Sequence, residues 1–250
     1  MNTRDPEALL DNWLTLELPF QARPELVAEL TEGISNKSYL ILADGERWVL
    51  RLDAPQASNL GVDRAQEHLI HRAAAAKGLA PECLVADLAH GFMVTRFIEG
   101  GRFGKSSDAN SRFNSLHALL LKLQEVDVGL NTLDYRSHLA RYSNDGGFST
   151  QISECLDHLE TAADVGLCHH DPSPANVVFT ASGACLIDWE YAAVGRPVMD
   201  LAALVCEWKL EANKIAMKFD VKMSLLRDAC IIYQEMCRLW ESAARDLHMI

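Results

Sequence analysis

Apolar and polar positions change period twice along the chain. Over Pro6 to Leu18, the residues Leu9, Leu10, Trp13, Leu14 and Leu16 fall near helical spacing and predict a short amphipathic helix. From about residue 25 the pattern becomes strand-like: Leu26–Leu30, Ser38–Leu42 and Arg47–Leu52 read as strands. Asp44-Gly45 lies between the last two and marks a type I′ hairpin, whose two central residues need positive φ. Val62–Lys77 is helical again and stops at Gly78, with Pro81 beyond it. Cys83–Val85 and Phe92–Thr95 read as two further strands, and Gly100-Gly101 suits a hinge.

Beyond the hinge the pattern is mostly helical. Ala109–Val126, Gln151–Ala163, Val198–Ala212 and Val221–Asp246 are the predicted helices. One non-helical island, Cys168 to Ile187, interrupts them. Its two apolar runs flank Ser182-Gly183 and read as a second hairpin. The expected class is α+β, with a small antiparallel-sheet lobe over residues 1–98 and a mainly helical lobe over 99–250.

Charge narrows the partners. The 250 residues carry 35 acidic against 23 basic side chains, a net charge of -12, which excludes a general binder of nucleic acid or anionic membrane and suits a cationic ligand. The seven cysteines are odd in number, lack CxxC spacing and lie partly inside apolar runs, so they read as reduced and buried. No apolar run approaches the ~18 residues of a membrane span, and no basic-then-apolar leader opens the chain. A soluble, cytoplasmic protein is expected, with its oligomeric state left open.

The island holds the candidate chemistry. It reads His169-His170-Asp171-Pro172-Ser173-Pro174-Ala175-Asn176, and Asp188 follows twelve residues after Asn176, at the end of the predicted hairpin. Asp171-Pro172 alone is a plain turn; with an Asn and a second Asp nearby it becomes a catalytic candidate. Phosphoryl transfer needs positioning, charge neutralisation and an acceptor for the hydroxyl proton. A loop Asp can take that proton, while Asn and Asp oxygens can hold Mg²⁺ against nucleotide phosphates. Adjacent His169 and His170 do not make a zinc site, since neither CxxC nor HExxH spacing is present.

His169-His170-Asp171-(four residues)-Asn176 resembles the catalytic loop of the aminoglycoside phosphotransferase and choline kinase-like superfamily. Ile187-Asp188-Trp189-Glu190-Tyr191, then Asp200, then Cys206-Glu207-Trp208 resemble its choline and ethanolamine kinase branch, and thiamine kinases share I-D-W-E-Y. The resemblance covers roughly residues 30 to 210. It implies a protein-kinase-like two-lobed fold that uses ATP and Mg²⁺ to phosphorylate the hydroxyl of a small, cationic amino alcohol such as choline or ethanolamine. Thiamine kinase and aminoglycoside phosphotransferase are the alternatives within the class, and an inactive kinase-like binding module is the alternative outside it. A protein kinase is disfavoured, because D-F-G is absent and only twelve residues separate Asp188 from Asp200.

By the same resemblance Asp171 and His169 are catalytic, and Asn176 and Asp188 hold the metal. Arg51, oriented by Glu67, holds the phosphates. Ser35 and Asn36 belong to a turn, Gly33 to Ser38, whose backbone can face phosphates. Thr95 and Phe97 lie in the strand and hinge that hold adenine through backbone groups. Tyr191, Glu207 and Trp240 contact the acceptor, with Trp208 a further candidate. Two positions depart from the pattern: His170 stands where Gly is usual, and Leu123-Gln124 stands where Leu-His is usual, with His117 expected in core or on surface.

Overall fold

The computed structural model describes residues 5–30, 36–101, 109–143 and 147–247. A short helix α1 (Pro6–Asp11) is followed by β1 (Glu25–Glu29), β2 (Asn36–Ala43), β3 (Glu46–Asp53), α2 (Arg64–Ala76), β4 (Cys83–Asp87) and β5 (Phe92–Arg96). The five strands form an antiparallel sheet in the order β1-β2-β3-β5-β4. Asp44 and Gly45 both have positive φ, 51° and 79°, as a type I′ turn requires. The predicted first helix ends early, at Asp11, and the chain continues in turns to Glu17.

Strand alternation sends one set of side chains to each face. Ile41, Leu50, Leu52 and Val94 face a core with Leu9, Leu10, Leu18 and Phe20 from the α1 segment. Ser38, Val49, Arg51, Met93 and Thr95 face the opposite way, into the cleft. The helix α2 is capped by Asp63, whose carboxylate accepts from the N–H groups of Ala65 and Gln66, and it ends before Gly78 at φ 71°. Its buried face is Glu67, Ile70, His71 and Ala74. Ile70 and Ala74, with Leu60 and Leu79, join the core of the helical half although they precede residue 98.

That half contains α3 (Ala109–Gln124), α4 (Tyr135–Ala140), α5 (Thr150–Glu160), α6 (Val198–Cys206), α7 (Ala212–Lys218) and α8 (Met223–Asp246). Two small ribbons carry the loops between them: β6 (Gly166–Cys168) pairs with β9 (Ala193–Gly195), and β7 (Val177–Thr180) pairs with β8 (Gly183–Leu186). The helix expected over Val198–Ala212 is shorter, and α7 begins only at Ala212. The helix α6 stops at Cys206, Lys209 adopts φ 55°, and the Lys209 ammonium donates to the Cys206 carbonyl. Gly100 is needed at the hinge, because a Cβ there would lie 2.5 Å from the Phe179 carbonyl oxygen. Gly101 then pairs with Phe179 as an isolated bridge. Among the described residues no helix is long and apolar enough to cross a membrane.

Candidate active site

The cleft between sheet and helices has a volume of about 740 Å³. One side of it is built on charge. Arg51 on β3 grips Glu67 of α2 with both guanidinium nitrogens, one at 2.9 Å, and reaches Asp53 at 3.0 Å. Burial works to raise the Glu67 pKa, but Arg51 and then Arg64 outweigh it and hold the carboxyl below its ordinary value. The guanidinium of Arg64 donates to Glu67 at 2.7 Å, to Glu190 at 3.2 Å and to Asn36 at 2.7 Å. Asn36 in turn donates its amide to Glu190 at 2.9 Å, so its side chain is engaged within the protein. Ser35 and the glycine turn lie outside the described residues.

The opposite wall carries the loop between β6 and β7. Asp200, on the first turn of α6, accepts the N–H of His169 at 2.9 Å and of His170 at 2.8 Å. His170 has φ 64°, the left-handed region that glycine occupies without strain. Its imidazole is anchored in compensation. The Arg196 N–H donates to the Tyr135 hydroxyl at 2.9 Å, which directs the hydroxyl proton to His170 Nε2 at 2.8 Å. Burial lowers the His170 pKa to about 3 and that of His169 to about 4, so both rings are neutral. His169 is fully buried and off the cleft wall: its Nε2–H donates to the Ile187 carbonyl at 3.1 Å and its ring meets Trp189 edge-on. Expected among the catalytic groups, it does not line the cleft, and its hydrogen bond ties the loop to the segment after β8. Trp208, a candidate for the acceptor wall, is also behind the loop, donating to the Pro172 carbonyl at 2.7 Å.

Asp171 lines the cleft and accepts the Asn176 amide at 2.7 Å. Burial pushes its carboxyl up to about 7, with smaller contributions from the charges of Glu207 and Glu190, against hydrogen bonds from Ser173 and Asn176. Asp188, two residues past β8, is left-handed at φ 63°. Its Oδ1 is buried with no hydrogen-bond partner among the described residues, and burial with Glu190 beside it raises its pKa well above the carboxylate range. Among the described residues no three His, Cys, Asp or Glu side chains converge on one ion. An orphaned carboxylate oxygen with an amide oxygen nearby fits a hard cation that takes its remaining oxygens from phosphates and water, as Mg²⁺ does. Asn176 and Asp188 could hold it.

Farther along, Thr95, Phe97 and Ile98 line one end of the cleft; the Phe97 N–H is engaged by the Arg47 carbonyl at 3.1 Å. At the other end stand Tyr191, Glu207, Tyr233, Met236, Cys237 and Trp240. The indole of Trp240 donates to the Tyr191 hydroxyl at 2.6 Å, which joins two acceptor candidates into one wall. Glu207 follows the last residue of α6, rather than riding within a helix, and is exposed at the rim. His138 and Tyr142, from α4 and the turn after it, complete this end. Sequence reasoning missed them: a six-residue helix is too short for periodicity, and only its Asp134 cap, which accepts the Ser137 N–H, marks it. It also missed the tasks of Asp200, Glu190 and Arg64. His117 meets Phe219 edge-on and does not line the cleft.

A sheet over a helical half, with a loop Asp, an Asn and a second Asp facing a buried Arg–Glu pair, defines a protein-kinase-like phosphotransferase. Residues 27–217 match the phosphotransferase enzyme family, and the chain belongs to that family of small-molecule kinases. It is similar to LicA of Haemophilus influenzae, 25% identical over 193 residues that cover 70% of this chain and 56% of LicA, little more than half that protein's length. It is also similar to thiamine kinase of Salmonella gallinarum, 29% identical over 237 residues covering 88% of this chain and 78% of that one. The choline kinase LicA from Streptococcus pneumoniae, 18% identical, superposes with a TM-score of 0.77 over 97% of this chain and 91% of its own, which shows the shared fold. LicA has also been solved in complex with AMP.

Proposed function

We propose that the chain transfers the γ-phosphoryl group of ATP to the hydroxyl of a small cationic alcohol of the choline or ethanolamine kind. The observation that carries the reading is Asp171, half-buried on the cleft wall and hydrogen-bonded to Asn176, with Asp188 and Arg51 on the same cavity. In this reading Asp171 receives the acceptor's hydroxyl proton. The acceptor oxygen bonds to the γ-phosphorus as the bond from that phosphorus to the bridging oxygen breaks, and ADP leaves with the electron pair. Arg51, its fork fixed by Glu67, holds the α- and β-phosphates. Asn176 and Asp188 hold Mg²⁺, which when bound neutralises charge on the phosphates. Thr95, Phe97 and the neighbouring backbone enclose adenine, and the AMP complex of LicA supports a nucleotide here. The boundary between lobes falls at residues 98 and 99, just before the Gly100 hinge. An inactive binding module is disfavoured, since Asp171, Asn176 and Asp188 are all present.

The aromatic wall of Tyr191, Tyr233 and Trp240, with Glu207 at its rim, supports a cationic acceptor, because a quaternary ammonium offers no N–H and is recognised by ring faces and carboxylate charge. A thiamine-like acceptor is the second reading. It is favoured by the longer match to thiamine kinase and by the neutral imidazole of His138, which lines the cleft edge-on to Tyr142 and could serve a second polar ring. The deciding experiment measures ADP release by purified protein with ATP and, separately, choline, ethanolamine, thiamine and kanamycin. Turnover of choline or ethanolamine supports the first reading. Turnover confined to thiamine or kanamycin replaces it, and no turnover with any of the four removes it.

A further inference from the structure

Arg64 is absent from the cleft wall, yet its guanidinium touches residues from both sides of it. On the phosphate side it shares the Glu67 carboxylate with Arg51: both donate to Glu67 Oε2, at 2.7 and 2.9 Å. On the catalytic side it reaches Glu190, 126 residues away in sequence, and Asn36 reaches the same Glu190 oxygen across 154 residues. A further weak contact runs from its Nε to Asp53 at 3.5 Å. Glu67, Asn36 and Glu190 are each less than a tenth exposed. Two arginines and three carboxylates thus form one buried network in which each charge needs the others, since removing one partner leaves another desolvated and unpaired.

Glu190 is two residues past Asp188, and the residue between them, Trp189, is fully buried with its indole donating to the Leu186 carbonyl at 3.1 Å. A shift of Glu190 is therefore transmitted to Asp188 with little slack. Asn36 opens β2, and Lys37, Ser38 and the following residues are locked in register with β3. We propose that Arg64 is a positioning residue, a clasp that fixes the separation between the phosphate-holding Arg51–Glu67 pair and the metal-holding Asp188 by binding Glu67, Asn36 and Glu190 at once. Arginine suits this task because its planar fork addresses several oxygens in fixed geometry, whereas an ammonium is a point charge. Lysine at this position can keep one partner and loses the others.

The proposal rests on the nucleotide reading above, and the two are tested by different quantities. Calorimetric titration of wild-type protein with MgADP tests that reading; the ratio of variant to wild-type affinity tests the clasp. Adenosine, which has no phosphates, is the internal control. The expected result is that Arg64→Ala and Arg64→Lys each weaken MgADP by about tenfold while leaving adenosine affinity within about twofold of wild type. Arg64→Lys is expected to recover thermal stability without recovering MgADP affinity. Asn36→Ala removes a neutral amide and no charge, so it carries the test if Arg64→Ala does not fold, with a smaller but selective loss for MgADP. The clasp is overturned if Arg64→Lys binds MgADP like wild type. It is also overturned if the variants weaken adenosine and MgADP alike, which marks a purely structural residue.

Discussion

The two ends of the cleft are built from different materials. Around Arg51 the side chains of Asn36, Asp53, Arg64, Glu67 and Glu190 form one network of charges and an amide at hydrogen-bond distance, drawn from β2, β3, α2 and the segment after β8. Around Trp240 the wall is Tyr191, Tyr233, Met236 and Cys237, where the Trp240 indole donates to the Tyr191 hydroxyl and the Glu207 carboxylate stands at the rim. A buried charge network tolerates few geometries, because each displacement leaves a desolvated charge unpaired. An aromatic and thioether wall is bound mainly by shape and can change its occupant at small cost. The difference suits a family whose similar members include both a choline kinase and a thiamine kinase.

Four predictions test this contrast, from the largest effect to the smallest. Asp171→Ala should lower kcat by roughly 10²–10⁴-fold while MgATP affinity stays near wild type, since a positioned proton acceptor contributes that much. Retention of more than about a tenth of wild-type kcat removes Asp171 from the reaction. Arg51→Ala and Glu67→Ala should each reduce kcat/KM about a hundredfold, the scale of losing one preorganised charge-stabilising group. Their double variant should be little worse than either, because one network is lost once; strict additivity in a double-mutant cycle would break the pair.

At the acceptor end the effects should be smaller and confined to one substrate. Tyr191→Ala and Glu207→Ala should each raise the acceptor KM roughly three- to thirty-fold and leave the ATP KM unchanged, given cation–π contacts of about 0.5–2 kcal/mol. Because Trp240 donates to the Tyr191 hydroxyl, Tyr191→Phe should reproduce part of the loss by freeing the indole. Unchanged acceptor kinetics in both alanine variants would mean that the aromatic end does not hold the acceptor.

The last prediction concerns pH. Burial raises the Asp171 carboxyl to about 7 in the folded chain, against about 3.9 for an unperturbed Asp. Between these values the folded state holds a proton that the unfolded state has lost. Its contribution to stability is therefore complete below about pH 4 and is lost as pH rises through 7. Catalysis runs the opposite way, because Asp171 must be ionised to accept a proton, so kcat/KM should fall as pH drops below 7. Asp171→Asn should be inactive yet should lose less stability than wild type between pH 4.5 and 8, seen as a Tm difference that widens with pH. Parallel Tm curves for the two proteins would sink the assignment of this titration to Asp171.

Much of the nucleotide side was legible in the chain. Asp44-Gly45, the stop at Gly78 and the alternation on β3 are local signals, and each produces the expected element. Asp171, Asn176 and Asp188 were singled out because they lie in or next to one short island, and all three line the cleft. The glycine turn with Ser35 lies outside the described residues. The acceptor side was only half legible. Tyr191, Glu207 and Trp240 do line it, but Tyr142 and His138 come from a segment with too few residues to show a period.

The sequence by itself determined most of the strands, long helices and turns and singled out the candidate site residues, because these signals depend on backbone preferences and on residues a few positions apart. The tertiary structure decided which of those residues are engaged. It buried Arg51 where an alternating strand could equally have left it in solvent. It moved His169 and Trp208 behind the loop, ended α6 at Cys206, and joined Asn36 and Arg64 to Glu190. These outcomes arise from contacts between segments far apart in sequence, whose energies depend on desolvation and on the exact partner supplied by the other half of the fold; no local pattern encodes them.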